Sequence, residues 1–184
     1  MKETIFAKGK LFELVHLPQK DGRIFEVARR APGVRLIIAD RSAQKILLTR
    51  EFRHELHATD YRLPGGKVFD TLKEYESHRN SGDEILVAAA KKAKAEAVEE
   101  AGMDITEVVL FKKSTLGATV EWDLFVFEAK AWQPHPAGQS LEDGEQVESV
   151  EWFSFTKAEQ MILHGDMQEE RIALILLQWL KGQV

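Results

Sequence analysis

The chain has 184 residues, enough for one domain with a sizeable hydrophobic core. Hydrophobic residues make up 44% of it and charged residues 30%, which excludes disorder, collagen-like repeats and a disulfide-dense miniature scaffold. With 25 Lys+Arg against 30 Asp+Glu and no Cys, it has no overall basic field for a nucleic-acid backbone and no thiolate chemistry.

From the N-terminus, Thr4 to Leu17 mixes β-branched and aromatic residues, and Gly22 to Ala28 continues the strand character. Asp21-Gly22 between them signals a hairpin, because the turn needs positive φ. Pro32-Gly33 breaks the chain, Val34 to Ala39 reads as a short buried strand, and Ile46 to Thr49 follows the Asp40–Gln44 turn. Four strands are expected before residue 55. Tyr61 to Lys67 reads as a loop. Phe69 to Asp83, polar and without strong period, is either a helical excursion or a mobile insertion.

Asp83 is the expected cap of a strong helix from about Glu84 to Ala101, with Gly102 as its stop. Thr106 to Phe111, Glu121 to Ala129 and Gln146 to Phe153 return to strand character. Trp132 to Gly144, with two prolines and two glycines, reads as an exposed loop. Two helices close the chain, Thr156 to His164 with a Thr cap and Met167 to Lys181, apolar nearly all round. No apolar run approaches the roughly 18 residues of a membrane span. Met1 to Phe6 lacks a signal-peptide core, so a soluble cytoplasmic protein is expected.

Chemistry concentrates in the long helix. Glu96, Glu99 and Glu100 fall within an arc of about 100°. Such clustering is either a solvated acidic helix end or a site for a hard divalent cation, which prefers oxygen ligands. His54 and His57 have i, i+3 spacing, but no further zinc ligands accompany them. Of the four tryptophans, Trp132 in the proline-rich loop is the candidate for ligand stacking.

The stretch Glu96-Ala97-Val98-Glu99-Glu100-Ala101-Gly102-Met103 resembles the second half of the Nudix box, whose pattern is Gly, five residues, Glu, seven residues, then Arg-Glu-apolar-x-Glu-Glu-x-Gly-apolar. Upstream, Leu63-Pro64-Gly65-Gly66-Lys67 is similar to the loop that opens it. Gly66 and Ala95 stand 29 positions apart where the family spacing is about 14, so about 15 residues, in the region 68–83, are inserted. Ala95 replaces the family's Arg, and the early Glu has no clean counterpart. Lys92, one turn before Glu96 on the same face, is placed to supply the missing cation.

Outside the box, the resemblance points to the ADP-ribose pyrophosphatase-like branch. It rests on Phe25 to Val34, on Leu48 to Arg53 with Glu51 for the usual Gln, and on Leu116 to Glu121 with Leu116 for Pro. Arg62 stands where a Glu usually precedes Leu-Pro, and Leu141 to Glu145 is similar to an acidic loop that supplies a base.

The resemblance implies an α+β fold, an α/β/α sandwich with a mixed central sheet and N-terminal antiparallel strands. One domain covers 1–184, and residues 1–32 contribute to a homodimer. It implies Mg²⁺, or Mn²⁺, held by Glu96, Glu99, Glu100 and the Gly66 carbonyl. Catalysis falls to Glu100 and a base, Glu145 before Glu142. Arg53, then Arg29 or Arg30, would grip the diphosphate, and Glu121 would contact metal or substrate. The implied reaction is hydrolysis of a nucleoside-diphosphate sugar, ADP-ribose to AMP and ribose 5-phosphate first. Another nucleotide sugar, or a weakened domain acting as a nucleotide-binding sensor, is the alternative.

Overall fold

Local turns and side-chain alternation set the layers, starting with an antiparallel ribbon at the N-terminus. The computed structural model describes residues 2–54, 56–141 and 147–182. Strands β1 (Thr4–Lys8), β2 (Phe12–Pro18) and β3 (Ile24–Arg30) pair in sequence order, with Val15 opposite both Ile5 and Val27. The run from Thr4 to Leu17 is therefore two strands, because Gly9 N–H closes a turn onto the Phe12 carbonyl at 2.7 Å. Gly22, at φ 86°, makes the hairpin turn that Asp-Gly predicts.

The chain next lays down β4 (Gly33–Ile37), β5 (Ala39–Asp40), β6 (Lys45–Arg53) and β7 (Ala58–Arg62). Six strands thus precede residue 55, where four were expected, and Tyr61 and Arg62 belong to a strand rather than a loop. The backbone of β7 finds its hydrogen-bond partners along the far end of β6, from Thr49↔Arg62 to Arg53↔Ala58. The open segment 69–83 holds a helix, α1 (Leu72–Ser81), started by Thr71, whose hydroxyl accepts from Glu74 N–H, and ended at Gly82.

The long helix α2 (Ile85–Ala101) matches the expectation within a residue, and Gly102 stops it in the left-handed conformation. Its N-cap is Glu84 and not Asp83, which instead takes a hydrogen bond from Ser81. Strands β8 (Met103–Thr115), β9 (Val120–Glu121), β10 (Asp123–Pro134) and β11 (Val147–Ser154) follow, then helices α3 (Phe155–His164) and α4 (Glu170–Leu180). Ser154, two residues before Thr156, caps α3 through its hydroxyl. Trp132 lies inside β10, because that strand pairs with β8 as far as Pro134↔Met103.

Among the described residues the strands form three sheets: β1-β2-β3-β9, β4-β10-β8 and β11-β6-β5, with β7 on β6. The middle one is mixed, β10 running parallel to β4 and antiparallel to β8. Alternation sends Val34, Leu36, Leu47, Phe125 and Phe127 toward α2, and Ile37, Ile46, Leu48, Leu124 and Val126 toward α3 and α4. Ala89, Ala93 and Ala97 are fully buried against that first face, and their small side chains let α2 lie close to the sheet. Helices on both sides of mixed strands give the α/β/α sandwich anticipated above. Among the described residues, no helix is long and apolar enough to cross a membrane.

Candidate active site

A glycine turn holds the acidic face of α2 against the end of β4. The Gly66 carbonyl accepts from Val34 N–H and the Pro64 carbonyl from Leu36 N–H, both at 2.9 Å, so residues 64–68 run along the edge of β4. Gly65 has φ 146°, and a Cβ there would meet the Val34 carbonyl oxygen at 2.3 Å. At Gly66 a Cβ would meet Glu96 Oε1 at 2.2 Å. The space a side chain would fill is taken by a carboxylate.

Glu96 and Glu100 are 4% and 7% exposed, and both line a cavity of about 790 Å³ together with Glu51. Gly65 N–H donates to Glu100 Oε2 at 2.6 Å. Burial pushes the Glu100 carboxyl up to about 8, with Glu51 and Glu96 adding repulsion against the pull of Arg35 and the Gly65 N–H. Lys92 places its ammonium 3.0 Å from Glu96 and 3.4 Å from Glu99. Although burial opposes it, the two carboxylates hold that ammonium well above its ordinary value. The cation absent at Ala95 is thus present one turn earlier.

Among the described residues, no three carboxylate or imidazole groups converge as a finished metal cage. The donor set nevertheless suits a hard divalent cation. Two buried carboxylates and a partly buried third share one helix face, and the Gly66 carbonyl edge is next to Glu96. These groups fit such an ion chemically.

The same cavity carries a cationic wall. Alternation on β6 puts Thr49, Glu51 and Arg53 on one side, with Thr49 donating to Glu51 at 2.7 Å and Arg53 reaching Glu51 at 3.5 Å. Arg50 points elsewhere, toward Glu148. Arg30 and Arg35 also line the cavity, and no ion pair joins either to a carboxylate among the described residues. Burial, then the neighbouring Arg35, lowers the Arg30 guanidinium from its ordinary value. Arg62 completes the wall; it donates to Asp60 and to Glu169, each at 2.8 Å, tying β7 to the start of α4.

Several residues sit apart from the places their sequence context implied. Arg29 does not line the cavity: it is 7% exposed, bonded to Glu3, Glu13 and Glu121, and those carboxylates hold its guanidinium firmly protonated. Glu121 is spent on that network at 2.9 Å. One residue along the strand the side chain points the other way, which is why Arg30 faces the cavity. Trp132 packs on Trp152 at 5.1 Å and donates to the Ala39 carbonyl, so it is no ligand shelf. Trp122 lines the cavity instead. His54 and His57 are not among its lining residues. Glu142 and Glu145 lie outside the described residues; the chain leading to them is fastened to α2 by Gln139, which donates to the Glu100 carbonyl, and by Ser140 N–H on the Glu99 carbonyl.

Arg35, Gln168 and Glu169 are cavity residues that the sequence did not single out. Only a polar Arg35 set between buried Val34 and Leu36, and so turned to the opposite side of the strand, carried a signal.

Comparison with known proteins agrees with this geometry. A family model described as the NUDIX domain matches residues 29–175. The GDP-mannose pyrophosphatase of Enterobacter sp. (strain 638) is 30% identical over 172 residues, covering 90% of this chain and 83% of that protein. A crystal structure described as an ADP compounds hydrolase superposes with a TM-score of 0.67 over 100% of this chain and 94% of its own, at 18% identity. That last likeness is one of fold.

Proposed function

The chain belongs to the Nudix hydrolase family, in its ADP-ribose pyrophosphatase-like branch, and on that premise we propose that it cleaves the diphosphate of a nucleoside-diphosphate sugar. The observation that carries this reading is one cavity with buried carboxylates from α2 and guanidiniums from β3 and β4 that no carboxylate among the described residues pairs with. Its volume, about 790 Å³, suits a ligand of that size.

Glu96, Glu99 and Glu100, with the Gly66 carbonyl, would hold Mg²⁺ or Mn²⁺. Such an ion, when bound, neutralises diphosphate oxygens and makes water more acidic. Arg53, Arg30 and Arg35 bind the remaining phosphate oxygens, since a guanidinium offers a planar fork of donors. Glu145, with Glu142 second, takes the proton from the attacking water. Lys92 holds Glu96, which lines the cavity, and Glu99 beside it through its shared ammonium.

ADP-ribose, giving AMP and ribose 5-phosphate, is the first substrate to test. GDP-mannose is the second, on the strength of the relative that bears its name. The apolar side chains of Phe6, Ile24 and Phe25, exposed on the N-terminal sheet, support contact of residues 1–32 with a second copy.

The test incubates purified protein with nucleotide sugars and Mg²⁺, adds phosphatase and reads phosphate, with Glu100→Gln in parallel. Turnover that falls at least about 100-fold in the variant supports both the substrate class and the carboxylate site. No turnover on any nucleotide sugar, with binding retained, overturns the reading and leaves a binding module in which Ala95 marks lost catalysis.

A further inference from the structure

We propose that Trp122 is a specificity residue whose indole N–H donates to a phosphate oxygen of the substrate while its ring holds Arg30 beside it. The proposal rests on the reading above and adds a residue to it. An indole nitrogen can only donate. Trp122 Nε1 is fully buried and has no hydrogen-bond partner among the described residues, although its side chain lines the cavity. A Cβ on Gly33 would come within 3.4 Å of that nitrogen and 3.4 Å of the Gly66 carbonyl oxygen. The donor therefore lies beside the glycine turn against which Glu96 packs.

The ring has a separate task. The Arg30 guanidinium stacks over Trp122 at 4.4 Å and over Phe12 at 5.0 Å, held by π faces rather than by a carboxylate. Arg171 fixes the tryptophan from α4: it lies 5.0 Å from the ring and donates to the Trp122 carbonyl at 3.1 Å and to Ser114 Oγ at 3.0 Å. Arg35 Nε is likewise buried and without an acceptor. Three donor groups at one cavity wall, two of them cationic and none paired to a carboxylate among the described residues, call for an anion with several acceptor oxygens. A neutral sugar hydroxyl would bring neither guanidinium a charged acceptor.

Trp122→Phe keeps the ring and removes the N–H; Trp122→Ala removes both. Binding of ADP-ribose and GDP-mannose is measured calorimetrically in EDTA, and indole N–H signals are followed by ¹H–¹⁵N NMR. Trp122→Phe should bind about tenfold more weakly, a difference of about 1.4 kcal/mol, and Trp122→Ala more weakly still. The indole signal missing from Trp122→Phe should move when wild type takes up ligand. If Trp122→Phe does not fold, that signal is assigned by exclusion with Trp132→Phe, Trp152→Phe and Trp179→Phe. Wild-type binding that leaves the Trp122 signal unmoved, or binding by Trp122→Phe within twofold of wild type, overturns the proposal alone. So does Mg²⁺-dependent turnover without any binding in EDTA. Neither binding nor turnover on any nucleotide sugar takes down the functional reading as well.

Discussion

Replacing Gly66 by alanine should damage activity far more than stability. The new Cβ would lie 2.2 Å from Glu96 Oε1 and 2.8 Å from its Cδ, about 1.2 Å short of an ordinary 3.4 Å contact. What it strikes is the end of a flexible side chain, so the carboxylate can swing aside while the backbone stays put. A displacement of about 1 Å at a catalytic group costs on the order of 100-fold in rate. Loss of one well-placed ligand to the cation should therefore lower kcat/KM about 100-fold. The melting temperature should fall by only about 2–4 °C, the equivalent of about 1 kcal/mol in a chain of this size. Gly65→Ala is the contrast. Its Cβ would meet the Val34 carbonyl at 2.3 Å and Arg35 Cα at 2.8 Å, and φ is 146°, so main chain must move. Gly65→Ala should lose several times more stability than its neighbour. Steady-state kinetics and thermal melts on both variants decide it. Equal melting losses, or near-normal activity in Gly66→Ala, would refute the claim that a carboxylate occupies the missing side chain's place.

Arg29→Ala should destabilise rather than impair substrate binding. It leaves Glu13, which is 5% exposed, with Lys8 at 3.9 Å in place of the closer guanidinium, and breaking a buried pair costs about 3–5 kcal/mol, on the order of 10 °C in melting temperature; a raised KM at unchanged stability would return Arg29 to the substrate. Lys92→Ala leaves Glu96 and Glu99 without their shared cation, so in EDTA the melting temperature should drop by about 2–8 °C and recover with Mg²⁺. A rise in EDTA would show that the ammonium is a burden there. Phe6→Asp with Phe25→Asp should shift sedimentation toward the monomer, since both side chains are exposed at 67% and 48% on one sheet; an unchanged species would place the contact with a second copy elsewhere.

Much of this protein was legible before any coordinates. Ala-rich spacing and Gly102 made α2 readable to within a residue, because propensity and capping act locally. The order Leu-Pro-Gly-Gly then Glu-x-x-Glu-Glu marked two segments that meet at the cavity, and helical periodicity placed Lys92 over Glu96. Strand ends were harder: β7 and the tail of β10 exist because β6 and β8 offer them hydrogen-bond partners, and such pairing leaves little trace in a single stretch of chain. The segment 69–83 could be decided only with its surroundings, where Leu72 is buried and its N–H bonds to the Lys10 carbonyl.

Which charged residues face the cavity was likewise a tertiary matter. Arg29 and Arg30 are adjacent in sequence and chemically identical, yet one is buried among three carboxylates and the other stacks on two aromatic rings. The sequence determined the family, the carboxylate helix and the glycine turn, all set by short-range patterns. The cationic wall was decided by folding, because Arg30, Arg35 and Arg53 come from separate strands and meet each other, and Trp122 from the link between β9 and β10, only when the sheets assemble.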